Sequence, residues 1–253
     1  MLKAFKRHWW KWVFALLVLM VALIYWYLRP YRPDIEALAA MKSTEEITVR
    51  NEGQVILFEP KKPVQPSMIY YPGGLVEPES YAPYAQALAQ ADHRIYIVKM
   101  PVNLAIFGGD RAASILATKH QDETFVIGGH SLGGVMAARF AAMHANELAG
   151  VFFLASYPDS KGSLVSANLP VLSLVGSNDG AVNQDALMKA KANLPNTTEY
   201  HTIQGGNHSQ FGSYGFQRGD LPSSISAKKQ LDETIKLLLN WEQTAINPVK
   251  PTQ

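Results

Sequence analysis

The chain has 253 residues, 47% of them hydrophobic and 17% charged, with a formal net charge of +2 and no cysteine. That length suits one buried α/β core and is marginal for two. The missing cysteines exclude disulfides and thiolate metal sites and suit an exported domain. The charge is uneven: residues 1–29 carry five Lys/Arg and no Asp/Glu, and the rest carries 18 Lys/Arg against 21 Asp/Glu. A cationic end on a mildly acidic body is a membrane-topology pattern, so no nucleic-acid partner is expected.

The first predicted element is an uncharged apolar run at residues 13–28, which Trp12 extends to seventeen residues. At ~1.5 Å per residue it spans about 25 Å, slightly short of a bilayer core of about 30 Å. Trp9, Trp10 and Trp12 flank one end, and Tyr25, Trp26 and Tyr27 the other, as an aromatic belt would. Lys3, Lys6, Arg7 and Lys11 precede the run, and only Arg29 and Arg32 follow closely. The expected organisation is a cytoplasmic basic amino terminus (1–11), a transmembrane signal anchor (12–28), a linker (29–45), an extracytoplasmic domain (46–245) and a short tail (246–253). A cleaved signal peptide is the rival. An Ala37-Leu38-Ala39 site exists, but it lies too far beyond the apolar run for ordinary cleavage.

Beyond the linker, strands and helices alternate. A hairpin is predicted at residues 47–50 and 55–59, then a strand at 67–71 and a helix at 79–90. A strand at 94–99 and a helix at 110–119 follow, then a strand at 124–128 and a helix at 135–143. The series ends with strands at 150–155, 170–175 and 198–203 and helices at 184–192 and 224–243. Alternating βα units imply a mostly parallel sheet with helices on both faces, a three-layer αβα sandwich, and the hairpin adds an antiparallel edge.

The chemistry collects in the loops after the strands. Gly129-His130-Ser131-Leu132-Gly133 fits G-x-S-x-G between a strand and an Ala- and Met-rich helix, the setting of a nucleophile elbow. Asp179 follows the strand at 170–175 within Gly176-Ser177-Asn178-Asp179-Gly180. His208 follows the last strand within Gly205-Gly206-Asn207-His208. Catalytic groups of open α/β sheets gather at the carboxyl ends of strands, so Ser131, Asp179 and His208 are expected as nucleophile, orienting acid and base. Asp159, after the strand at 150–155, is the alternative acid. His130 reads as a packing residue beside the nucleophile. His93, His120, His144 and His201 lack metal-ligand spacing, so no metal is expected, and the chemistry requires no cofactor.

These motifs, with Tyr71-Pro72-Gly73-Gly74 after the third strand, resemble the alpha/beta-hydrolase superfamily in its lid-less, dienelactone-hydrolase-like branch, the fold-5 type. The resemblance covers roughly residues 46–242. It implies the α/β-hydrolase fold and an oxyanion hole formed by the backbone N–H groups of Leu132 and Gly74, with Leu75 the near alternative to Gly74. Dienelactone hydrolases proper carry a cysteine nucleophile. This chain has none, so serine-esterase chemistry is implied instead. Only residues 156–168 follow the sixth strand, too few for a cap domain, so the site is expected to be open. Phe211, Tyr214 and Phe216 are candidates for lining it.

The expected function is that of a membrane-anchored serine carboxylesterase acting on small-molecule esters through an acyl-enzyme, with a preference for short acyl groups. A lipase or thioesterase uses the same machinery. A catalytically retired fold serving as an envelope interaction module is the alternative from another class.

Overall fold

The computed structural model describes residues 2–118 and 123–247; for residues 2–8, 24 and 25 it describes the backbone alone. The chain divides into two compact units, Met1–Pro30 and Tyr31–Gln253.

The first unit is built on helix α1, Leu2–Tyr27. Its described side chains from Trp9 to Leu23 are exposed. No helix among the described residues is long and apolar enough to cross a membrane. This departs from the expected transmembrane helix.

The second unit carries an eight-stranded sheet in the order β1-β2-β4-β3-β5-β6-β7-β8. The strands are β1 (Ile47–Glu52), β2 (Val55–Pro60), β3 (Val64–Tyr71), β4 (His93–Val98), β5 (Phe125–His130), β6 (Gly150–Leu154), β7 (Val171–Gly176) and β8 (Glu199–Ile203). β1 and β2 form the predicted hairpin, closed at Gly53, whose φ of 51° suits a residue without a side chain. β2 also runs antiparallel to β4, and every other pairing is parallel.

Side chains alternate across this sheet with period two, and the alternation divides the core. Met68, Tyr70, Val126, Phe152, Leu154, Leu172 and Leu174 face one buried cluster with residues of α3 (Ala82–Gln90) and α7 (Ala227–Trp241). Ile69, Tyr71, Phe125, Ile127, Val151, Phe153 and Val171 face the other with residues of α4 (Ala112–Ala117) and α5 (Leu132–Met143). Both faces are covered, which explains why the central strands read as continuous apolar runs. Each fully buried Leu, Ile or Phe contributes about 1.5–3 kcal/mol. On α7 the buried positions Gln230, Thr234, Leu238 and Trp241 form a stripe at helical spacing, and the Ser226 hydroxyl accepts from the Lys229 N–H to cap its start.

Three elements differ from their sequence reading. The predicted helix at 79–90 begins as a 3-10 turn, Pro78–Tyr81, before α3. The predicted helix at 110–119 is described as α4, and residue 119 lies outside the described residues, as do His120 and positions 248–253 of the predicted tail. Part of the predicted linker is structured: it contains α2 (Ile35–Ala40), and Tyr31 bridges to Val76 in parallel fashion. A short helix, α6 (Gln184–Ala190), precedes β8.

Candidate active site

The site is assembled at the carboxyl ends of β3, β5, β7 and β8. β5 ends at His130, and Ser131 follows at φ 52° and ψ −124°, a conformation sparsely populated by residues with a side chain. Such a residue costs on the order of 1–3 kcal/mol and persists only where its surroundings fix it. They do here. The Ser131 N–H donates to the Leu154 carbonyl (3.0 Å), and its own carbonyl accepts from the Gly134 N–H (3.1 Å) and the Ser156 hydroxyl (2.6 Å). A side chain on Gly129 or Gly133 would collide with the Tyr71 carbonyl oxygen. The two glycines of the motif are therefore required by the close approach of β3 to the turn.

His208 and Asp179 are brought together. His208 Nδ1 lies 2.9 Å from Asp179 Oδ2, with His208 1% and Asp179 6% exposed. Asp179 Oδ1 is occupied by the N–H groups of Ala181 (3.0 Å) and Val182 (2.8 Å). With both carboxylate oxygens accepting, the bond to the imidazole uses the hydrogen on Nδ1. That makes Nε2 the nitrogen able to accept a proton, and it is buried with no hydrogen-bond partner among the described residues, the Ser131 hydroxyl included. Asp159 is employed elsewhere. It pairs with Arg139, which holds its carboxyl below the usual carboxylate range, and it accepts from the Gly162 N–H at 3.1 Å. The carboxylate bonded to the imidazole is thus the one after β7.

The loop after β3 supplies backbone donors. The Gly73 N–H donates to Tyr81 Oη (2.9 Å), and the Leu75 N–H donates to the Asn103 carbonyl (2.7 Å). Among the described residues, the N–H groups of Gly74 and Leu132 have no acceptor. A Cβ placed on Gly74 would lie 3.1 Å from Leu132 Cδ2, so the two residues are neighbours. Leu75, the alternative donor, is already committed.

Beneath the imidazole sits a second one. The His130 and His208 rings are 4.5 Å apart, and His130 Nδ1 lies 2.9 Å from Tyr81 Oη. Burial, and then the neighbouring His208, hold His130 well below the usual imidazole value, and burial raises the Tyr81 phenol above its own. Tyr81 is therefore protonated and His130 neutral. The Tyr81 hydroxyl accepts from Gly73 and donates to His130 Nδ1.

Of the aromatics predicted to line the pocket, Phe211 and Tyr214 are buried behind the base, with ring centroids 6.0 and 6.4 Å from His130. Only Phe216 is exposed.

Several residues that fix the site were not identified from sequence. Asp220 bonds the loops of both Asp179 and His208. Gln230 of α7 accepts from the Asn207 N–H (2.9 Å) and donates to the Asn207 carbonyl (2.8 Å). Tyr81 joins the oxyanion loop to His130. No spacing marks any of them; each is a polar or aromatic residue made significant by tertiary contact alone.

A family model described as the alpha/beta hydrolase family matches residues 67–232. Among solved structures, the chain is similar to a dienelactone hydrolase from Anabaena variabilis (TM-score 0.60, 16% identity, covering 80% of this chain and 100% of that one). It is also similar to a predicted CIB-like hydrolase from Thermoplasma acidophilum (TM-score 0.59, 13% identity, 77% and 99%). A third similar structure is Est1E from Butyrivibrio proteoclasticus with ferulic acid bound (TM-score 0.57, 15% identity, 77% and 96%). At these identities the likeness shows the fold. No curated protein matches the chain.

Proposed function

Because the chain belongs to the alpha/beta hydrolase family, we propose that it is a serine hydrolase cleaving small-molecule esters through an acyl-enzyme. The observation that carries this reading is the buried His208–Asp179 pair, 2.9 Å apart with Nε2 unbonded among the described residues, at the same sheet edge as a serine held at positive φ. Ser131 Oγ attacks the ester carbonyl as its proton passes to His208 Nε2. Asp179 stabilises the imidazolium through Nδ1–H. The oxyanion is received by the N–H groups of Gly74 and Leu132, both without an acceptor of their own. The imidazolium then protonates the departing alcohol. Water, activated by the same nitrogen, releases the acid from Ser131.

The absence of room for a cap in residues 156–168 supports a preference for short acyl groups. An acyl chain left in water forfeits about 0.8 kcal/mol for each methylene not buried. The anchor belongs to the same proposal. α1 holds the enzyme at a membrane, with its amino terminus in the cytoplasm and the hydrolase unit outside. The uncharged run, its aromatic flanks and the four preceding basic residues support this. A hydrophobic segment a few ångströms short is accommodated by local thinning at modest cost.

A fluorophosphonate probe should label the full chain at Ser131 and fail to label Ser131→Ala. Undiminished labelling of the alanine variant rules the mechanism out. With p-nitrophenyl esters, kcat/KM should peak at short acyl groups; a steady rise with chain length, or activation by micelles, would make the enzyme a lipase. Protease added to spheroplasts should digest the hydrolase unit, and protection until lysis would reverse the orientation.

A further inference from the structure

A second carboxylate is buried at this site besides Asp179. Asp220 lies between Phe211 and α7 and is 7% exposed. Its Oδ1 accepts from the backbone N–H groups of Gly180 (3.1 Å), His208 (3.3 Å) and Leu221 (2.8 Å). Its Oδ2 accepts from the Ser209 N–H (2.8 Å) and the Ser209 hydroxyl (2.5 Å). Gly180 follows the acid, and His208 and Ser209 carry and follow the base. One side chain therefore bonds both strand-end loops next to the residues that must meet.

The chemistry of the donors explains why the residue is an aspartate. Five hydrogens converge on two oxygens, and an ionised carboxyl is the small side chain that only accepts. Burial alone would raise its pKa, but the donors of Ser209, Gly180 and Leu221 outweigh burial and keep it below the usual carboxylate value. An amide of the same shape has one accepting oxygen. Its NH2 group would face a donor from Ser209 or from the backbone of Gly180 and His208. The Ser209 hydroxyl also accepts from the Gln217 N–H (2.9 Å), so the bonds reach the far side of the loop.

We propose that Asp220 is a positioning residue that fixes the separation and orientation of the Asp179 and His208 loops, so that the Nδ1–H···Oδ2 bond is made before substrate arrives. Its kinetic consequence rests on the serine-hydrolase reading; its structural consequence does not. Nothing in the geometry puts Asp220 against the reacting atoms. It acts through the backbone of its neighbours.

The test compares the full-length protein with Asp220→Asn by two readouts. The first is the far-downfield proton resonance of a histidine Nδ1–H bonded to a carboxylate, with Asp179→Asn as the control that removes it. The second is ester turnover. Loss or displacement of the resonance, with kcat reduced on the order of 10²-fold and KM within about twofold, supports the proposal. Retention of both the resonance and kcat overturns it. If the wild-type chain turns over no ester but Asp220→Asn still loses the resonance, the positioning role stands and the esterase reading fails. Should Asp220→Asn not fold, Ser209→Ala decides, because it deletes only the hydroxyl bond to Oδ2 and the acceptor for Gln217. A displaced resonance with a kcat loss of up to about tenfold supports the role. An unchanged resonance with unchanged kcat refutes it.

Discussion

The two halves of the site are held by different parts of the chain. His208 and Asp179 are fixed largely by side chains: Asp179 takes the imidazole, Asp220 bonds both loops, and Gln230 clasps the backbone of Asn207. The oxyanion half is fixed largely by main chain. Leu75 donates to the Asn103 carbonyl and accepts from the Tyr31 N–H, both at 2.7 Å, and Glu77 donates to the Tyr31 carbonyl at 3.0 Å. The Tyr81 side chain bonds both this loop and His130. The base half should therefore fail when single polar side chains are removed. The oxyanion half should fail when bulk or backbone geometry is changed.

The largest effect is expected in the base half. His208→Ala should lower kcat on the order of 10³-fold or more, and Asp179→Asn should do nearly the same by releasing the imidazole's tautomer. Asp159→Asn should change kcat by less than about threefold, because its carboxylate serves Arg139 at the surface. Steady-state kinetics on one short ester, with thermal melts to show folding, separates these variants. A large loss in Asp159→Asn with near-normal Asp179→Asn would move the acid to the loop after β6.

The oxyanion half is probed by bulk. In Gly74→Ala the new Cβ lies 3.1 Å from Leu132 Cδ2, tighter than ordinary contact, so either the Leu132 side chain gives way or the Gly74 backbone, with its donor, shifts. Losing one such donor costs about 10²–10³-fold, and a displaced one should cost about 10- to 10²-fold in kcat with little change in KM. An unaltered kcat would remove Gly74 from the oxyanion hole.

The asymmetry also explains what the sequence could convey. Strand and helix types were legible because β5, β6 and β7 are buried on both faces, and α5 is built from good helix formers. The elbow was legible because two glycines must sit against the Tyr71 carbonyl, and that requirement leaves a fixed spacing. Asp179 was separable from Asp159 only by preference; the structure distinguishes them by partner, imidazole for one and guanidinium for the other. Asp220, Gln230 and Tyr81 left no local mark, because their partners are between 8 and 49 positions away and leave no periodicity. Residues 29–45 read as a linker because a chain that pairs through backbone at Tyr31 needs no distinctive side-chain pattern.

Tyr81 tests the link between the halves. Tyr81→Phe removes one hydroxyl and leaves the buried Gly73 N–H and His130 Nδ1 without partners. An unsatisfied buried polar group costs about 1–3 kcal/mol, so the variant should lose at least that much stability in urea denaturation. Its kcat should fall by less than that of Gly74→Ala, because the His208–Asp179 bond and the Leu75–Asn103 bond are both kept. Stability within about 0.5 kcal/mol of wild type would show that water or rearrangement satisfies both groups.

The smallest effect concerns acid. His130 is fully buried and held well below the ordinary imidazole value of 6.5, by burial first and by His208 second. In the unfolded chain it takes up a proton near that value; in the folded chain it does not. Below about pH 6.5 the unfolded state therefore binds more protons at this residue, and stability rises with pH. Its contribution is fully present above that pH and is lost as pH falls, with a limiting slope of about 1.4 kcal/mol per pH unit, until the folded imidazole protonates. Asp220 acts in the same direction, but only where carboxylates titrate, near and below 3.8. His130→Asn keeps a small acceptor near Tyr81 and removes the titration. Denaturation at about pH 7.5 and about pH 5.5 should show a smaller loss for the variant than for wild type, by up to the slope given above. Equal losses would mean that His130 is protonated in the folded protein as readily as in the unfolded one, which its burial against His208 opposes.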